Sequence, residues 1–554
     1  MSTIRKEFVY AAINRANMLI DYNIYDDIHK QNKFMQHTIL LDNSLTDDER
    51  DEAIKILNID YDRNKVRSGE GTKRICENCN QECLATLYCE HCVRNYLKLK
   101  FTSWTSGNDN IDNLIQKCQM ETYVPYKIIE WIPYDNLKDT KYLTKGGFSE
   151  IYTSTWIDGE YEEWDSKNHQ LIKSGTIDVV LKSLENVESA DQSWFKEAIS
   201  HLTIGNIYEE IVRCNGLTRN PSNGNYMLVI DRMDNDLRNY LRLNYNKITW
   251  KEKIKITYEI TNALWFIHKE NAIHRDLHSG NILYSEINDS WYISDLGFCG
   301  PVDKPSKSIY GNLPYIAPEV IAGKEFTFAS DIYSVAMLMW EISSGQPPFI
   351  HCENDYYLAM NIINGMRPRI GSEIPLKYRI LMEQCWNAIP SERLDIYTLC
   401  DEMSEIHLLC QDRPDELTQS KAKEYPEINE ISSNYTSSRL FTSKVHQFEN
   451  FPEPKNATEE EQEAFHSSKS YSFNIPYNVE DFGSKILKDN NKSDLSKEFN
   501  KLQINDNQNN YNGEKILSQQ MMKHYIDTDD ENEIYNNPNL HSEEQDELNI
   551  PDDI

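Results

Sequence analysis

The chain has 554 residues, 39% of them hydrophobic, with 57 Lys+Arg against 89 Asp+Glu and a formal net charge of -32. That length accommodates about two to four domains, and a mean hydropathy of -0.66 is low for a chain folded throughout, so a large unfolded fraction is expected. The charge argues against a nucleic-acid partner, whose backbone would repel it, and no apolar run is long enough to span a bilayer.

The opening Met1-Ser2-Thr3-Ile4-Arg5-Lys6-Glu7 lacks the apolar stretch of a secretory signal. Twelve cysteines are then expected to be reduced thiols or metal ligands rather than a disulfide framework, in an intracellular, cytoplasmic or nuclear protein. Residues 1–70 are polar and partly helical; Thr46-Asp47-Asp48-Glu49 has capping-box spacing, with Ala53, Ile54, Ile56 and Leu57 following. Residues 71–105 hold two Cys-x-x-Cys pairs, Cys76/Cys79 and Cys89/Cys92, nine residues apart. Each pair presents two thiolates from a tight turn, and two such turns complete a tetrahedral Zn²⁺ site of structural type. It would staple a segment too small for its own core and display a surface to a regulatory partner. Cys83 and His91 are spare ligands, so the set stays open. Buried reduced cysteines are the plain alternative; a redox dithiol lacks its βαβ surroundings.

Residues 106–135 carry an amphipathic segment, with Ile111, Leu114, Ile115 and Cys118 at helical spacing after Asn108-Asp109-Asn110 as cap. Such a stripe packs on a neighbouring domain; a detachable regulatory helix is the sharper alternative. At the other end, residues 411–554 carry 30 Asp+Glu against 14 Lys+Arg, half of the net charge. Asn, Ser, Glu and Asp dominate there without apolar periodicity, so 413–554 is expected to be a solvated acidic tail.

Residues 136–412 carry a different signal. Leu143-Thr144-Lys145-Gly146-Gly147-Phe148-Ser149-Glu150-Ile151-Tyr152 places two glycines between strand-like flanks. Without Cβ atoms their amides can approach a phosphate, although alone the segment is any hairpin turn. Asp158 to Gly175 is too long for a tight hairpin and predicts an exposed insertion. Ile177-Asp178-Val179-Val180-Leu181 is a β-branched strand ending in Lys182, with Glu197 fifteen residues on in Trp194-Phe195-Lys196-Glu197-Ala198. Met227-Leu228-Val229-Ile230 is a core strand running into Asp231-Arg232-Met233. Then come His274-Arg275-Asp276-Leu277-His278-Ser279-Gly280-Asn281 and, fourteen residues after Asn281, Asp295-Leu296-Gly297. One carboxylate to orient an attacking hydroxyl, plus an amide and a second carboxylate to hold a metal on phosphates, is what phosphoryl transfer needs. All-oxygen ligands suit Mg²⁺.

In this order and at these distances the motifs resemble the catalytic core of the eukaryotic protein kinases. Cys385-Trp386-Asn387-Ala388-Ile389-Pro390 with Arg393 is similar to the tyrosine-kinase-like and tyrosine kinase branches, and Pro314-Tyr315-Ile316 before Ala317-Pro318-Glu319 to the serine/threonine members. The resemblance covers roughly half the chain. It implies a bilobal α+β fold, with a small β-rich N-lobe, a larger helical C-lobe and ATP between them. It assigns Asp276 as the base, Lys182 to the α- and β-phosphates with Glu197 as its partner, and Asn281 and Asp295 to Mg²⁺. The nucleotide pocket would be Leu143, Gly146, Gly147, Ile151, Val180, Ile230 as gatekeeper, the backbone of Asp231 and Met233, and Leu283. Arg275 would anchor a phosphorylated activation segment in which Ser306, Ser308 and Tyr310 are the candidates. Asp331 would brace the catalytic loop, and Glu319 would pair with Arg393.

Some positions depart from the family pattern. Thr144 and Ser149 replace the first and third glycines, and Leu296 replaces the usual Phe. His278 stands where serine/threonine members carry a lysine near the γ-phosphate, which implies less positive charge and slower transfer. The implied function is an ATP-dependent kinase of protein Ser/Thr, extending to Tyr, in intracellular signalling, with protein substrates and no membrane partner. A pseudokinase scaffold binding partners through the cysteine cluster and acidic tail is the alternative. The altered glycine loop and His278 favour it; intact Lys182, Asp276, Asn281 and Asp295 oppose it. A zinc-ribbon nucleic-acid binder is disfavoured by the charge.

Overall fold

The computed structural model describes residues 4–21, 24–122, 124–145, 149–184, 193–301, 309–352, 355–371, 374–411, 443–448 and 451–467. Three helices open the chain: α1 (Lys6–Met18), α2 (Ile28–Leu41) and α3 (Asp47–Ser68). Thr46 and Glu49 close the capping box of α3, and Glu49 also takes the Arg5 guanidinium at 2.7 Å. Each helix is polar overall, yet their apolar stripes meet in a small core of Val9, Ala12, Ile39, Leu45, Ala53 and Leu57. This region is therefore a folded three-helix unit, more ordered than its polar composition suggests.

Strands β1 (Arg74–Ile75) and β2 (Glu82–Cys83) pair around the first cysteine turn, and α4 (Glu90–Lys100) starts at the second. The amphipathic segment is α5 (Asp109–Glu121), capped by Asn108. Its stripe of Ile111, Leu114, Ile115 and Cys118 packs with Ala198, Leu202 and Leu217 of the small lobe.

That lobe is a six-stranded sheet with α6 (Ser193–Ile207) beside it. In chain order its strands are β3 (Glu130–Trp131), β4 (Leu137–Lys145), β5 (Glu150–Trp156), then after two inserted strands β8 (Ile177–Ser183), β9 (Cys214–Arg219) and β10 (Tyr226–Asp231). In space they run β3-β9-β10-β8-β5-β4, with the β3–β9 pair parallel and the others antiparallel.

The insertion corrects an expectation. Instead of hanging exposed, it forms a hairpin of β6 (Tyr161–Asp165) and β7 (Gln170–Lys173). Tyr161, Trp164 and Leu171 gather on the packed side, which buries Leu171 among Ala85, Tyr88, Val93 and Leu97. Trp164 sits edge-on to Tyr96 with centroids 5.9 Å apart and packs against the cysteine cluster.

The large lobe begins with β11 (Asn235–Asp236), α7 (Leu237–Asn244) and α8 (Trp250–Lys269). The short strands β12 (Ala272–Ile273), β13 (Ile282–Ser285), β14 (Ser290–Ile293), β15 (Gly300–Pro301) and β16 (Ile309–Gly311) follow. It ends in helices α9 (Pro318–Ile321), α10 (Phe328–Ser344), α11 (Tyr356–Ile363), α12 (Leu376–Cys385) and α13 (Ile396–Gln411). Helix α10 is buried along nearly its whole length and carries the centre of the core with α8. A helix enclosed on every side belongs to the core of its lobe, and the few polar groups it buries, Asp331 and Glu341 among them, are hydrogen-bonded there.

The tail also differs from expectation in one part. Residues 443–448 and 451–467 are folded onto the large lobe as β17 (Lys444–His446), an extended stretch and α14 (Glu459–Ser467). The reason is local: Phe448, Phe451 and Phe465 interrupt the polar composition and pack against the lobe's core.

Candidate active site

Strand register puts the small-lobe residues on one face. Val180 lies opposite Thr153 and Ile230, and Lys182 opposite Ile151 and Leu228. Cross-strand partners point the same way, so Ile151, Val180, Lys182 and Ile230 line one wall, while Val179, Leu181, Met227 and Val229 fill the core behind. Leu143 is exposed on β4. Asp231 ends β10, its N–H bonded to the Arg213 carbonyl at 3.1 Å. Leu283 sits on β13, paired with Asp236 from below. Gly146 and Gly147 lie outside the described residues, as do Ser306 and Ser308.

Lys182 is only 7% exposed. Its Nζ donates to Asp295 Oδ1 at 2.5 Å and forms an ion pair with Glu197 Oε1 at 2.6 Å. Burial would lower the ammonium's pKa, but the two carboxylates outweigh it and raise the pKa. Asp295 mirrors this: burial alone would raise its carboxyl, and Lys182 holds it below the usual carboxylate range. Glu197, buried and third in the cluster, is pushed up. Asp295 has left-handed φ of 58° and accepts from the Gly297 N–H at 3.2 Å. A Cβ on Gly297 would meet Asp295 Oδ1 at 3.0 Å and Glu197 Oε1 at 3.1 Å. A side chain there would press on both carboxylates that close on the lysine.

The catalytic loop is fixed by its backbone. Asp331 on α10 accepts from the N–H of His274 at 2.8 Å and of Arg275 at 3.0 Å, and His268 Nε2 meets the same carboxylate at 2.9 Å. This brace carries Arg275 in a left-handed conformation, φ 70°. His274 is fully buried, its Nε2 against the Ser294 carbonyl at 3.0 Å. The Asn281 amide donates to the Asp276 carbonyl at 2.8 Å, leaving its oxygen as the acceptor. Asp276 is buried and pushed up to about 7, by desolvation first and the Asp295 charge second. His278 is lowered to about 3, chiefly by burial, and so is neutral. Glu319 takes both arms of the Arg393 guanidinium at 2.7 and 2.6 Å in a fully buried pair.

The structure thus gathers Lys182, Glu197, Asp276, Asn281 and Asp295 at the junction of the two lobes. Tyr310, the third activation-segment candidate, is buried in β16 and paired with Val445 of β17. Three groups had no sequence signal. His201 on α6 accepts from the Leu296 N–H at 3.3 Å. Glu341 on α10 takes Ser279 Oγ at 2.9 Å and the Tyr315 hydroxyl at 2.5 Å beneath the loop. Ser443 of the tail donates to Asp276 Oδ1 at 2.8 Å. Each joins residues more than 20 positions apart, which no local spacing reveals.

At the amino-terminal side, Cys76, Cys79, Cys89 and Cys92 bring their sulfurs within 4.8 Å of one another. Cys76 Sγ lies 3.6 Å from Cys92 Sγ, and Cys79 Sγ 3.6 Å from Cys89 Sγ. Zn–S bonds of about 2.3 Å in a tetrahedron require S···S edges of about 3.8 Å, so the four sulfurs fit. All four are free thiols. Burial would raise the Cys76 thiol, but backbone N–H donors bring it down to about 7, toward the thiolate. Cys83 falls outside this four-sulfur group, and His91 Nε2 contacts the Glu82 carbonyl at 3.1 Å instead.

The sequence model of the protein tyrosine and serine/threonine kinase family matches residues 137–403. The Acanthamoeba polyphaga mimivirus protein named "Putative serine/threonine-protein kinase/receptor R818" is 35% identical over 30% of this chain and 10% of its own length. The Dictyostelium discoideum protein named "Probable serine/threonine-protein kinase gdt4" is 28% identical over 50% of this chain and 16% of its own. The dual serine/threonine and tyrosine protein kinase of Pimephales promelas is 30% identical over 34% of this chain and 21% of its own. The chain therefore spans about a fifth or less of the curated relatives it matches.

Proposed function

Residues 137–403 belong to the protein kinase family, and from that premise we propose that this chain transfers the γ-phosphoryl group of ATP to Ser or Thr, and also Tyr, of protein substrates. The observation that carries the reading is the Lys182–Glu197–Asp295 triad standing across the lobe junction from Asp276 and Asn281. Lys182, held in place by Glu197, neutralises charge on the α- and β-phosphates. Asp276 orients the acceptor hydroxyl and takes its proton. The nucleotide lies along Ile151, Val180 and Ile230, between Leu143 and Leu283, with Gly146 and Gly147 as the proposed contacts of its phosphates and the backbone of Asp231 and Met233 as those of its base. Asn281 and Asp295 offer the hard oxygens that Mg²⁺ takes, and Mg²⁺ supplies charge neutralisation between the phosphates when bound.

Arg275 serves as the anchor for an activation segment phosphorylated at Ser306 or Ser308. Cys76, Cys79, Cys89 and Cys92 hold a structural Zn²⁺, and the knuckle or the acidic tail offers a surface to a regulatory partner. The domains divide as 1–70, 71–105, 106–135, 136–412 and 413–554, with the tail folded where it meets the large lobe. No helix among the described residues is long and apolar enough to cross a membrane; action on intracellular proteins is part of the proposal. A pseudokinase scaffold is the second reading, favoured by the buried, neutral His278 at a position where serine/threonine members keep a lysine.

Incubating the full chain with γ-labelled ATP, Mg²⁺ and casein, followed by phosphoamino-acid separation, tests the proposal. Labelled phosphoserine and phosphothreonine are expected, with Lys182→Met slower by about 10²–10³-fold. Equal labelling by wild type and Lys182→Met, or none by either, rejects it.

A further inference from the structure

One segment of the acidic tail stands in the position a phosphoacceptor would take. Ser443 is buried, with Oγ 2.8 Å from Asp276 Oδ1 and 3.1 Å from His278 Nε2. Neighbouring groups fix the direction of these bonds. His278 Nδ1 accepts the Gly280 N–H at 3.0 Å, so in the neutral ring the proton is on Nε2, which donates to Ser443 Oγ. The serine proton is then the one shared with Asp276. A hydroxyl donating to a carboxylate in hydrogen-bond reach is the geometry that general-base activation requires.

The serine does not arrive there by a stray contact. Beyond it β17 pairs antiparallel with β16 in fixed register, Gly311 with Lys444, Tyr310 with Val445 and Ile309 with His446. His446 is buried with Nε2 3.1 Å from the Gly311 carbonyl. Phe451 stacks on Tyr356 with centroids 4.9 Å apart. Lys455 N–H donates to the Ile363 carbonyl at 3.0 Å, Asn456 Oδ1 accepts from the Ala388 N–H at 2.9 Å, and Gln462 Nε2 donates to the Gly365 carbonyl at 2.7 Å. Gly365 has φ +87°, and a Cβ there would lie 2.2 Å from the Ala457 nitrogen. Glycine at 365 is what lets the tail pass this closely.

We propose that residues 443–448 and 451–467 are a substrate strap, and that Ser443 is phosphorylated in cis by the chain's own active site. The inference rests on the kinase reading above and adds its acceptor: a seryl hydroxyl on an extended strand followed by Lys444 and His446. In the step, a bond forms between Ser443 Oγ and the γ-phosphorus of ATP. The bond from that phosphorus to the β,γ-bridging oxygen breaks, ADP leaves, and the hydroxyl proton passes to Asp276. The phosphoserine carries up to two negative charges beside Asp276 and Asp295, and like charges at that range expel it. Phosphorylation therefore frees the acceptor position for an external protein.

The test uses the full chain, dephosphorylated, with Mg-ATP and casein as external acceptor, followed by peptide mapping. Phosphate at Ser443 is expected, with the fraction modified per minute unchanged across about a hundredfold dilution, since an intramolecular acceptor has a fixed effective concentration. The double variant Phe448→Ala/Phe451→Ala undocks the strap, slows Ser443 modification about tenfold and speeds casein phosphorylation. Phosphate on casein with none at Ser443, a Ser443 rate that scales with protein concentration, or an unchanged rate in the double variant overturns the strap and leaves the kinase reading intact. No phosphate on either protein overturns both.

Discussion

Arg393 and Glu319 lie 74 positions apart and meet with both guanidinium arms on both carboxylate oxygens, fully enclosed. A charge pair in that setting is a poor source of net stability, but breaking it strands the remaining charge in a dry place. Arg393→Ala is expected to cost about 3–5 kcal/mol, seen as a large fall in denaturant midpoint; a midpoint within error of wild type would show the pair to be solvated. This pair, and Lys182 with Glu197, were legible from the sequence because the motifs that hold them resemble a family pattern that assigns each its partner. Ser443 was not. Nothing distinguishes it from the other serines of a polar tail until the chain folds back 167 positions onto Asp276. His278 was legible as an oddity of charge, yet its burial and its contact with Ser443 belong to the tertiary structure.

At the scale of elements, composition misled in two places for the same reason. The hairpin β6–β7 and the segment around β17 are polar on average, and an average hides a few apolar side chains on one face. Trp164 and Leu171 dock the hairpin on α4 and the cysteine turns, while Phe448, Phe451 and Phe465 dock the tail. The strands of the small lobe and α5 were readable because their apolar residues recur at the period of the element itself. The cysteine turns, α4 and the hairpin form one packed unit, so the proposed zinc would be coupled to folding. Purified chain is expected to hold one Zn²⁺ by mass spectrometry. Cys79→Ser/Cys92→Ser is expected to lose it, with earlier melting. Metal-free protein that melts at the same temperature as metal-loaded protein would contradict the staple.

In the whole molecule, the two lobes put their charged groups at one seam. The small-lobe sheet presents Lys182, α6 presents Glu197, and the large lobe's braced loop presents Asp276 and Asn281, with Asp295 bridging to the lysine at 2.5 Å. The fold class was legible as a whole because these motifs occur in a fixed order along the chain. The packing of the strap was not, because it depends on a surface that exists only once the large lobe is formed. Helix α5 packs with the small lobe and the tail segment with the large lobe. The central claim is that Asp276 activates the acceptor hydroxyl at this seam. Its most direct test is the rate of γ-phosphoryl transfer to casein by full-length wild type and Asp276→Asn, with circular dichroism recorded on both. The account predicts superimposable spectra and a loss of at least about 10²-fold in the variant; transfer at the wild-type rate by folded Asp276→Asn would contradict it.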